Sequence, residues 1–454
     1  MSIATAFRAV RILAVASAIV GSISCAPVGP DYVRPDVSVP SAYKETGDSN
    51  AAATKAPLPR SRWWELYNDP DLNALIAQVE VGNQTLQAAE ARVRQAAALV
   101  DIAGAPGYPA LSVGKVGKIA DSSGVGFSAR WELDLWGKVR RSVEAGTAVA
   151  EASADELAAA KLSMQAQVAQ KYFLLRMHDA EIRLMRGSVA SYEKSLQLNR
   201  NQYAVGVASR GNVVQAEAQL NSTRTQALDV ELTRAQLEHA IAVLIGKPPV
   251  EFAIAAKPWN AVIPAIAPTL PSELLLRRPD IAAAERMMAA ANAQIGVVQA
   301  AYLPSVGLFA SGGINIGIAG GLAIAQILLD GGLRDAQKER VTAAYVESVA
   351  DYRQTVLSAL REVEDSLAAM RVLESQAATQ AVAVKASRDS VTITDNQYRA
   401  GIVTYLSLVI VQSAALVNER AELAILGRRL VASVDLIKSL GGGWEMEAPK
   451  TAQK

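Results

Sequence analysis

Few side chains in this 454-residue sequence have the chemistry of a catalytic or metal site. It contains two histidines, His178 and His239, and a single cysteine, Cys25. Each histidine is flanked by helix-like sequence, and no second thiol is present to build a zinc site of the usual composition. Phosphate-binding loops, nucleophile elbows and paired carboxylates in a cleft-forming context are absent as well. The sequence therefore predicts no enzyme, no cofactor and no metal, and packed or surface positions account for both histidines.

The single thiol is informative because of its position. Before Cys25 the chain has two arginines, then an uncharged stretch over residues 12–23 that ends in small residues. This is the layout of a secretory signal peptide, and the apolar run is too short to span a bilayer comfortably. A cysteine at this point is typical of a bacterial lipoprotein processing site, although Ser22 replaces the usual leucine. We predict a signal peptide over residues 1–24 and lipidation of Cys25; a plain signal peptide or an N-terminal anchor helix is the alternative.

Composition narrows the class of protein further. The 45 Lys+Arg nearly balance the 44 Asp+Glu and leave a formal charge of +1, so we expect no nucleic-acid partner. Aromatic residues make up only 5% of the chain. Together with abundant alanine, this favours close-packed helices over a large sandwich or barrel of typical composition. A chain of this length holds two or three domains, or one large repeated architecture.

One short segment of the sequence occurs twice. NQYAVGVAS at residues 201–209 returns as NQYRAGIVT at residues 396–404, which is 195 positions further on. The same offset aligns six identities without a gap, two of them within these segments: Glu90 with Glu285, Pro109 with Pro304, Gly137 with Gly332, Tyr203 with Tyr398, Gly206 with Gly401, and Gly246 with Gly441. We interpret the chain as a tandem duplication with copies at residues 69–246 and 279–441.

Proline marks the boundaries of the two copies. A proline-rich linker over residues 247–278 separates them. Residues 25–68 read as an extended leader, and residues 442–454 as a C-terminal tail. Proline is absent between Pro304 and Pro449, and because proline disrupts a helix interior, its absence permits very long helices.

A seven-residue period identifies those helices as a coiled coil. Apolar or small residues recur at every seventh position from Val168 to Tyr203 and again from Val349 to Tyr398. Only a 3.5-residue repeat keeps one stripe facing its partner over such a length. A helix over residues 138–204 would be roughly 100 Å long.

The repeated segment is the turn between two helices of a hairpin. Gly206 and Gly401 follow the long helices at points where a positive φ or a close approach is wanted, and another helix starts directly afterwards. Each copy is therefore a long helical hairpin, with its turn at about residues 203–209 in the first copy and 398–404 in the second.

The helical pattern fails between Pro109 and Gly137. Residues 124–135, GVGFSARWELDL, alternate apolar with small or polar side chains, which predicts a strand with one apolar and one polar face. A second strand at about residues 110–119 would complete a hairpin. The length suits a transmembrane strand of about 9–11 residues, with lipid on one face and water on the other.

The second copy has a glycine-rich, uncharged segment from Ser305 to Leu329 at the same place. A transmembrane helix is the alternative there, but five glycines within residues 312–321 favour strands at about 305–313 and 318–329. Four strands cannot close a barrel, and an open sheet edge is not tolerated in lipid. The residues therefore predict that several copies assemble to complete one wall.

Taken together, these features resemble the outer-membrane efflux protein family of TolC-like channels, and within it the NodT-type lipoprotein branch. The matching words are spread over nearly the whole mature chain: CAPVGPDYVRP (25–35), RWWELYNDPDLNALI (62–76), WELDLWGKVRRSVEAG (131–146), YAVGVASRGNVVQAEAQL (203–220), LLLRRPDIAAAERMMAAANAQIGVVQAAYLPSV (274–306) and IKSLGGGWE (437–445).

The resemblance implies a mainly α fold with a small β part. Three copies would contribute twelve strands to one outer-membrane β-barrel, and their tandem helical hairpins would continue it as an α-barrel through the periplasm. Such proteins are the exit ducts of tripartite pumps, joined to a periplasmic adaptor and an inner-membrane transporter. Substrate passes through the lumen without covalent chemistry.

The resemblance also implies roles for individual residues. In the family, the helical turns meet the adaptor through a Val-Gly-Leu-like word. Val205-Gly206-Val207 matches that word well and Ala400-Gly401-Ile402 only loosely, and Ser209 and Thr404 complete the two contact sets; the alternative is that the glycines are simply helix caps. Trp131 and Trp136 are expected as aromatic residues at the membrane interface.

Relatives commonly close the periplasmic mouth with rings of aspartate. Asn212, Val403 and Ile410 stand here where acidic residues are usual. These aperture candidates predict an apolar or merely narrow constriction in place of a charged, cation-binding gate.

The functional expectation is passive export of drugs or other small toxic compounds through a lipid-anchored channel in the outer membrane, driven by a proton-dependent partner. One alternative is the outer-membrane component of an ATP-driven exporter. Another, of a different class, is a coiled-coil lipoprotein that tethers envelope layers and conducts nothing. The alternating strands favour the channel, since a tether needs no barrel.

Overall fold

A computed structural model describes residues 26–46, 62–119, 122–266, 270–313 and 316–444. The predicted signal peptide, Cys25 and the last ten residues of the chain, 445–454, lie outside the described residues.

Helices make up most of the described chain. The α-helices found there are α1 (Pro70–Gly82), α2 (Gln84–Gly104), α3 (Lys138–Ala204), α4 (Arg210–Leu244), α5 (Leu274–Arg277), α6 (Pro279–Ala300), α7 (Leu333–Arg399) and α8 (Tyr405–Ser439). Both α3 and α7 are 67 residues long, and both α4 and α8 are 35 residues long. The long helices of the two copies thus correspond in length, as the sequence duplication predicts.

The remaining regular structure is one antiparallel sheet. Its strands are β1 (Ala110–Ile119), β2 (Ser122–Leu133), β3 (Ser305–Gly313) and β4 (Ile316–Ala325). They lie in the order β1-β2-β3-β4, so the hairpins of the two copies join through β2 and β3. The prediction of a mainly α fold with a small β part is confirmed, and the glycine-rich segment of the second copy forms strands.

Two strands end earlier than the sequence predicts. β2 ends at Leu133, because the carboxylate of Asp134 accepts hydrogen bonds from the backbone N–H groups of Val139 and Arg140, at 2.9 and 3.0 Å, and so caps α3. β4 ends at Ala325 instead of continuing to residue 329. Asp330 plays the capping part there, since it accepts from the backbone N–H groups of Gly332 and Arg334.

The chain divides into two compact units, and the first contains the sheet. Its described residues are 26–37, 90–119, 122–155, 282–313 and 316–355. Arg141 binds the described part of the leader in this unit: its side chain is buried and donates to the carbonyls of Val28 and Gly29, both at 3.2 Å, and to Asp31 at 2.8 Å. The leader is thus held against the start of α3.

The second unit contains the main apolar core. Its described residues are 38–46, 62–89, 156–266, 270–281 and 356–444. The Phe173 ring contacts two others in this core: the Tyr67 ring is tilted against it at 4.7 Å between centroids, and the Trp259 ring is stacked on it at 5.8 Å. Asp69 caps α1 beside them and also accepts from the Tyr172 hydroxyl at 2.7 Å and the Trp259 indole at 3.0 Å. The scarce aromatic residues are therefore concentrated where the leader, linker and helices meet.

The seven-residue seam is buried as predicted, with one exception. Every seam position from Val168 to Leu196 and from Val349 to Tyr398 is buried or half-buried. Tyr203 is the exception, at 49% exposed. Within the described residues, we find no helix with both the length and the apolar character needed to cross a bilayer.

Candidate functional site

The sheet has two chemically different faces. Residues directly opposite one another in the register lie on the same face, so the pairings divide the strands cleanly. One face, here called the apolar face, presents aliphatic and aromatic side chains: Leu111, Val113, Val125, Phe127, Ala129, Trp131, Leu133, Val306, Leu308, Ala310, Leu322 and Ile324. Most of its large side chains are exposed to the surroundings of the single chain, which is the arrangement of a lipid-facing surface.

The opposite face, here called the polar face, consists of glycine, alanine, serine and a few larger residues. Ser112 and Ser128 lie opposite each other on β1 and β2, and their hydroxyl oxygens are 2.8 Å apart. Arg130 and Glu132 follow on the same face of β2, both exposed. Among the described residues, β1 and β4 each have a strand partner on one side only, so both edges of the sheet are open.

Trp131 and Trp136 lie where β2 runs into α3. The Trp131 indole donates to the carbonyl of Gly107 at 2.9 Å, and the Trp136 indole donates to the carbonyl of Pro304 at 2.7 Å. Both rings are half-buried. Each indole N–H is thus held by a loop carbonyl of the same unit, which fixes the rings at one end of the sheet.

The two helical turns have the same backbone geometry. Gly206 and Gly401 adopt φ values of +78° and +76°. The N–H of Val207 donates to Gln202 at 2.8 Å, and the N–H of Ile402 donates to Gln397 at 2.9 Å. This is the Schellman arrangement, in which a left-handed residue lets the chain satisfy the last carbonyls of a helix.

The helix after each turn is capped in the same way. Ser209 accepts from the N–H of Asn212, and Thr404 accepts from the N–H of Ser407, both at 3.4 Å. The glycines do act in capping, as the simpler interpretation holds. Val205, Val207 and Ile402 nevertheless project into the surroundings and are largely exposed, so both turns also present apolar side chains.

The side chains around the second turn are fixed more firmly than those around the first. Tyr398, only 9% exposed, donates from its hydroxyl to Asn199 at 3.1 Å and to Gln202 at 3.0 Å. Its ring lies 5.7 Å from that of Tyr405, and burial raises the pKa of Tyr405 to about 12. The second turn is thereby anchored to the last turns of α3.

The three aperture candidates differ in their surroundings. Val403 is half-buried and packs on the cluster around Tyr398 and Tyr405. Asn212 is half-buried in the first turn of α4, whereas Ile410 is 59% exposed on α8. Ile410 is therefore the most available of the three for lining a passage. His178 is bound to Glu181 at 3.0 Å, which gives it a structural role.

A protein-family model matches this chain in two places. The model of the outer membrane efflux protein matches residues 75–247 and again residues 270–442, which is one match for each copy of the duplication. The chain belongs to the outer membrane efflux protein family.

Individual relatives agree with this membership. The chain is 30% identical over 484 residues to the toluene efflux pump outer membrane protein TtgC of Pseudomonas putida, with 97% of each chain covered. It is 32% identical over 374 residues to nodulation protein T of Rhizobium leguminosarum bv. viciae, with 77% of this chain and 76% of that one covered. The solved structure of the outer-membrane channel OprN is 30% identical, with a TM-score of 0.80 over 92% of this chain and 99% of that chain.

As a member of this family the protein is an outer-membrane efflux channel that extends into the periplasm, and the family consists of transport proteins rather than enzymes. A periplasmic adaptor and an inner-membrane transporter are the partners that accompany this function. The predicted family and function are thus confirmed.

Sequence reasoning missed several residues of the efflux channel that the structure brings together. Asn199 and Gln202 hold Tyr398, yet nothing in their sequence context marks them as its partners. Arg34 of the leader donates to the Tyr352 hydroxyl at 3.0 Å and lies 3.6 Å from Glu285. The YVRP segment, which is part of the resemblance to the family, was a sequence signal that Arg34 makes specific contacts.

Proposed function

We propose that three copies of this chain close a twelve-stranded barrel in the outer membrane and form a passive exit duct. The amphipathic, open-edged sheet carries this proposal. One exposed face of it consists mostly of apolar residues, and β1 and β4 have no second partner among the described residues. An unpaired edge in lipid costs several kcal/mol for each unsatisfied backbone group, so pairing β1 of one copy with β4 of the next removes a large penalty.

The helical turns are the proposed docking points for the adaptor. Their exposed apolar side chains support this role, and the contact set is the one expected from the sequence: Val205, Gly206, Val207, Ser209, Gly401, Ile402 and Thr404. Trp131 and Trp136 are proposed to mark the membrane interface, since amphipathic rings prefer that level. Ile410, Asn212 and Val403 are proposed to line the periplasmic constriction, with Ile410 the most exposed of the three.

Attachment and energy source complete the proposal. Cys25 is proposed to be the lipidated first residue of the mature chain, after a signal peptide over residues 1–24. The partner transporter is proposed to be proton-driven. The similarity to TtgC, the outer membrane protein of a toluene efflux pump, supports small toxic compounds or drugs as substrates.

Conductance in planar bilayers distinguishes a conducting channel from a coiled-coil lipoprotein that only tethers envelope layers. We expect purified wild-type protein to form discrete, stable channels once the periplasmic constriction opens at high voltage. Variants that place a proline in an edge strand, such as Leu322→Pro, should lose channels, because proline removes a ladder donor. A trimer that never conducts under any voltage would leave an envelope tether as the better description.

The energy source is tested in cells that carry the whole system. A protonophore applied while cellular ATP is held constant should abolish export of a fluorescent substrate. Continued export under those conditions would support the ATP-driven alternative.

A further inference from the structure

One side chain on the polar face of the sheet does not fit its surroundings. Phe309, in the middle of β3, is 47% exposed on a face that is built mostly from small or polar residues. Its neighbours on that face of β3 are Gly307 and Ser311, and the residue opposite it on β4 is Gly321. A Cβ added to Gly321 would lie 3.3 Å from the Phe309 ring, so the ring extends over this glycine and along the wall.

A cation lies beside this ring. Arg130 of β2 is directly opposite Phe309 in the register, and directly opposite residues have Cβ atoms about 5 Å apart. Arg130 is exposed and has no acidic partner among the described residues, whereas Glu132 on the same face is within 4.0 Å of Lys138. The guanidinium is thus available to an anion from the water side.

The pair lies at the junction of the two copies, and the duplication does not repeat it. The position equivalent to Phe309 in the first copy is Gly114, and the position equivalent to Arg130 in the second copy is Ala325. Each chain therefore supplies one such pair of ring and cation, and the two equivalent positions of the other copy carry small residues. Residues that only fill space would be expected at the equivalent positions of both copies.

We propose that Arg130 and Phe309 form a solute-contact site in the wall of the duct, and that its ligands are planar aromatic anions such as aromatic carboxylates. The site rests on the proposed trimeric duct, in which the polar face lines the lumen and three such pairs surround it. The guanidinium binds the carboxylate, and the exposed Phe309 ring provides a stacking surface. The small residues around the ring leave room for a second ring to lie against it.

Block of single-channel current by salicylate tests the site. We expect salicylate to block the wild-type channel, and we expect Arg130→Gln and Phe309→Ala each to raise its dissociation constant about fivefold or more. Acetate, which lacks the ring, and benzyl alcohol, which lacks the charge, should block poorly. Leu308→Ala is the matched control, because Leu308 is the adjacent residue on the apolar face and should leave the block unchanged.

A reporter thiol provides a readout that does not depend on where the duct is narrowest. With Ser311→Cys as the reporter, we compare its labelling rates with anionic and cationic methanethiosulfonate reagents, using the parent protein as background. Removing the cation by Arg130→Gln should lower the anionic-to-cationic rate ratio about fivefold, and Arg130→Lys should largely preserve it.

The outcomes distinguish the site from the duct. A conducting wild type whose salicylate block and thiol ratio are unaffected by both substitutions would overturn the site and leave the duct intact. A wild type without current would contradict the duct, and an unchanged thiol ratio in that protein would overturn the site as well.

Discussion

The two helical turns have the same backbone conformation but differ in the side chains that surround it. Gly206 and Gly401 have almost the same φ, and the hydrogen bonds that close the turns match one for one. Tyr203 and Tyr398 are equivalent by the duplication, yet the first is 49% exposed and the second 9% exposed. The duplication therefore preserved the local fold of the turn but not its role in packing.

The two tyrosines differ in exposure because they have different neighbours. Tyr398 faces the end of α3 within the same chain and reaches Asn199, which is fully buried. Tyr203 remains about half exposed, at 49%. The first turn therefore leaves its tyrosine exposed in the single chain, whereas the second turn is fixed by contacts within the chain.

Removing the two tyrosines one at a time tests this difference most strongly. Tyr398→Ala should destabilise the region around the second turn by about 3–5 kcal/mol, because it removes a buried ring. Tyr203→Ala should destabilise the region around the first turn by less than about 1 kcal/mol. Hydrogen exchange of the amides in the last turn of α3 and the first turn of α8 measures both. Equal effects would show that the asymmetry does not persist in the assembled protein.

Acidic substitutions sharpen the comparison at the constriction. Val403→Asp should cost about 1–3 kcal/mol, because Val403 packs on the tyrosine cluster of the second turn. Ile410→Asp should be nearly neutral for stability, since its side chain is exposed, and should increase block of the current by divalent cations. An unaltered block would place the constriction elsewhere.

A milder change isolates the hydroxyl group. Tyr398→Phe keeps the ring and removes the hydrogen bonds to Asn199 and Gln202, so we expect a loss of about 1–2 kcal/mol in the same exchange experiment. Tyr203→Phe is the control and should have no effect. If both variants behave like the wild type, the hydroxyl does not hold the second turn.

An effect of similar size is expected from the turn glycines. Gly206→Ala and Gly401→Ala should each cost about 1–2 kcal/mol through backbone strain at positive φ. An added Cβ meets no atom within 4 Å at either site. Adaptor affinity, measured by biolayer interferometry, should fall in both variants if both turns dock. A loss confined to Gly206→Ala would assign docking to the first turn alone.

Much of this architecture follows from local patterns in the sequence. The seven-residue seam, the prolines at the boundaries and the repeated NQY segment predict the long helices and their turns, because each is a rule about neighbours along the chain. The alternation in β2 predicts its two faces for the same reason. Even the end of β2 had a local signal in Asp134, a capping residue five positions before Val139, which the alternating pattern obscured.

Contacts between distant parts of the chain could not be predicted in this way. Whether Tyr203 or Tyr398 is buried depends on which helix lies beside it, and both tyrosines fit the same seam. The hydrogen bonds from Arg141 to Val28 and Gly29 depend on the path of the leader, which no periodicity describes. Phe309 likewise gains significance only when the register places Arg130 opposite it.

The central claim is that a single chain cannot complete its own wall and three copies do so together. Native mass spectrometry of the full-length protein, extracted from the outer membrane in mild detergent, tests it most directly. The account predicts one dominant species with the mass of three chains, each carrying the mass of its acyl groups. A dominant monomer under the mildest extraction conditions would contradict it.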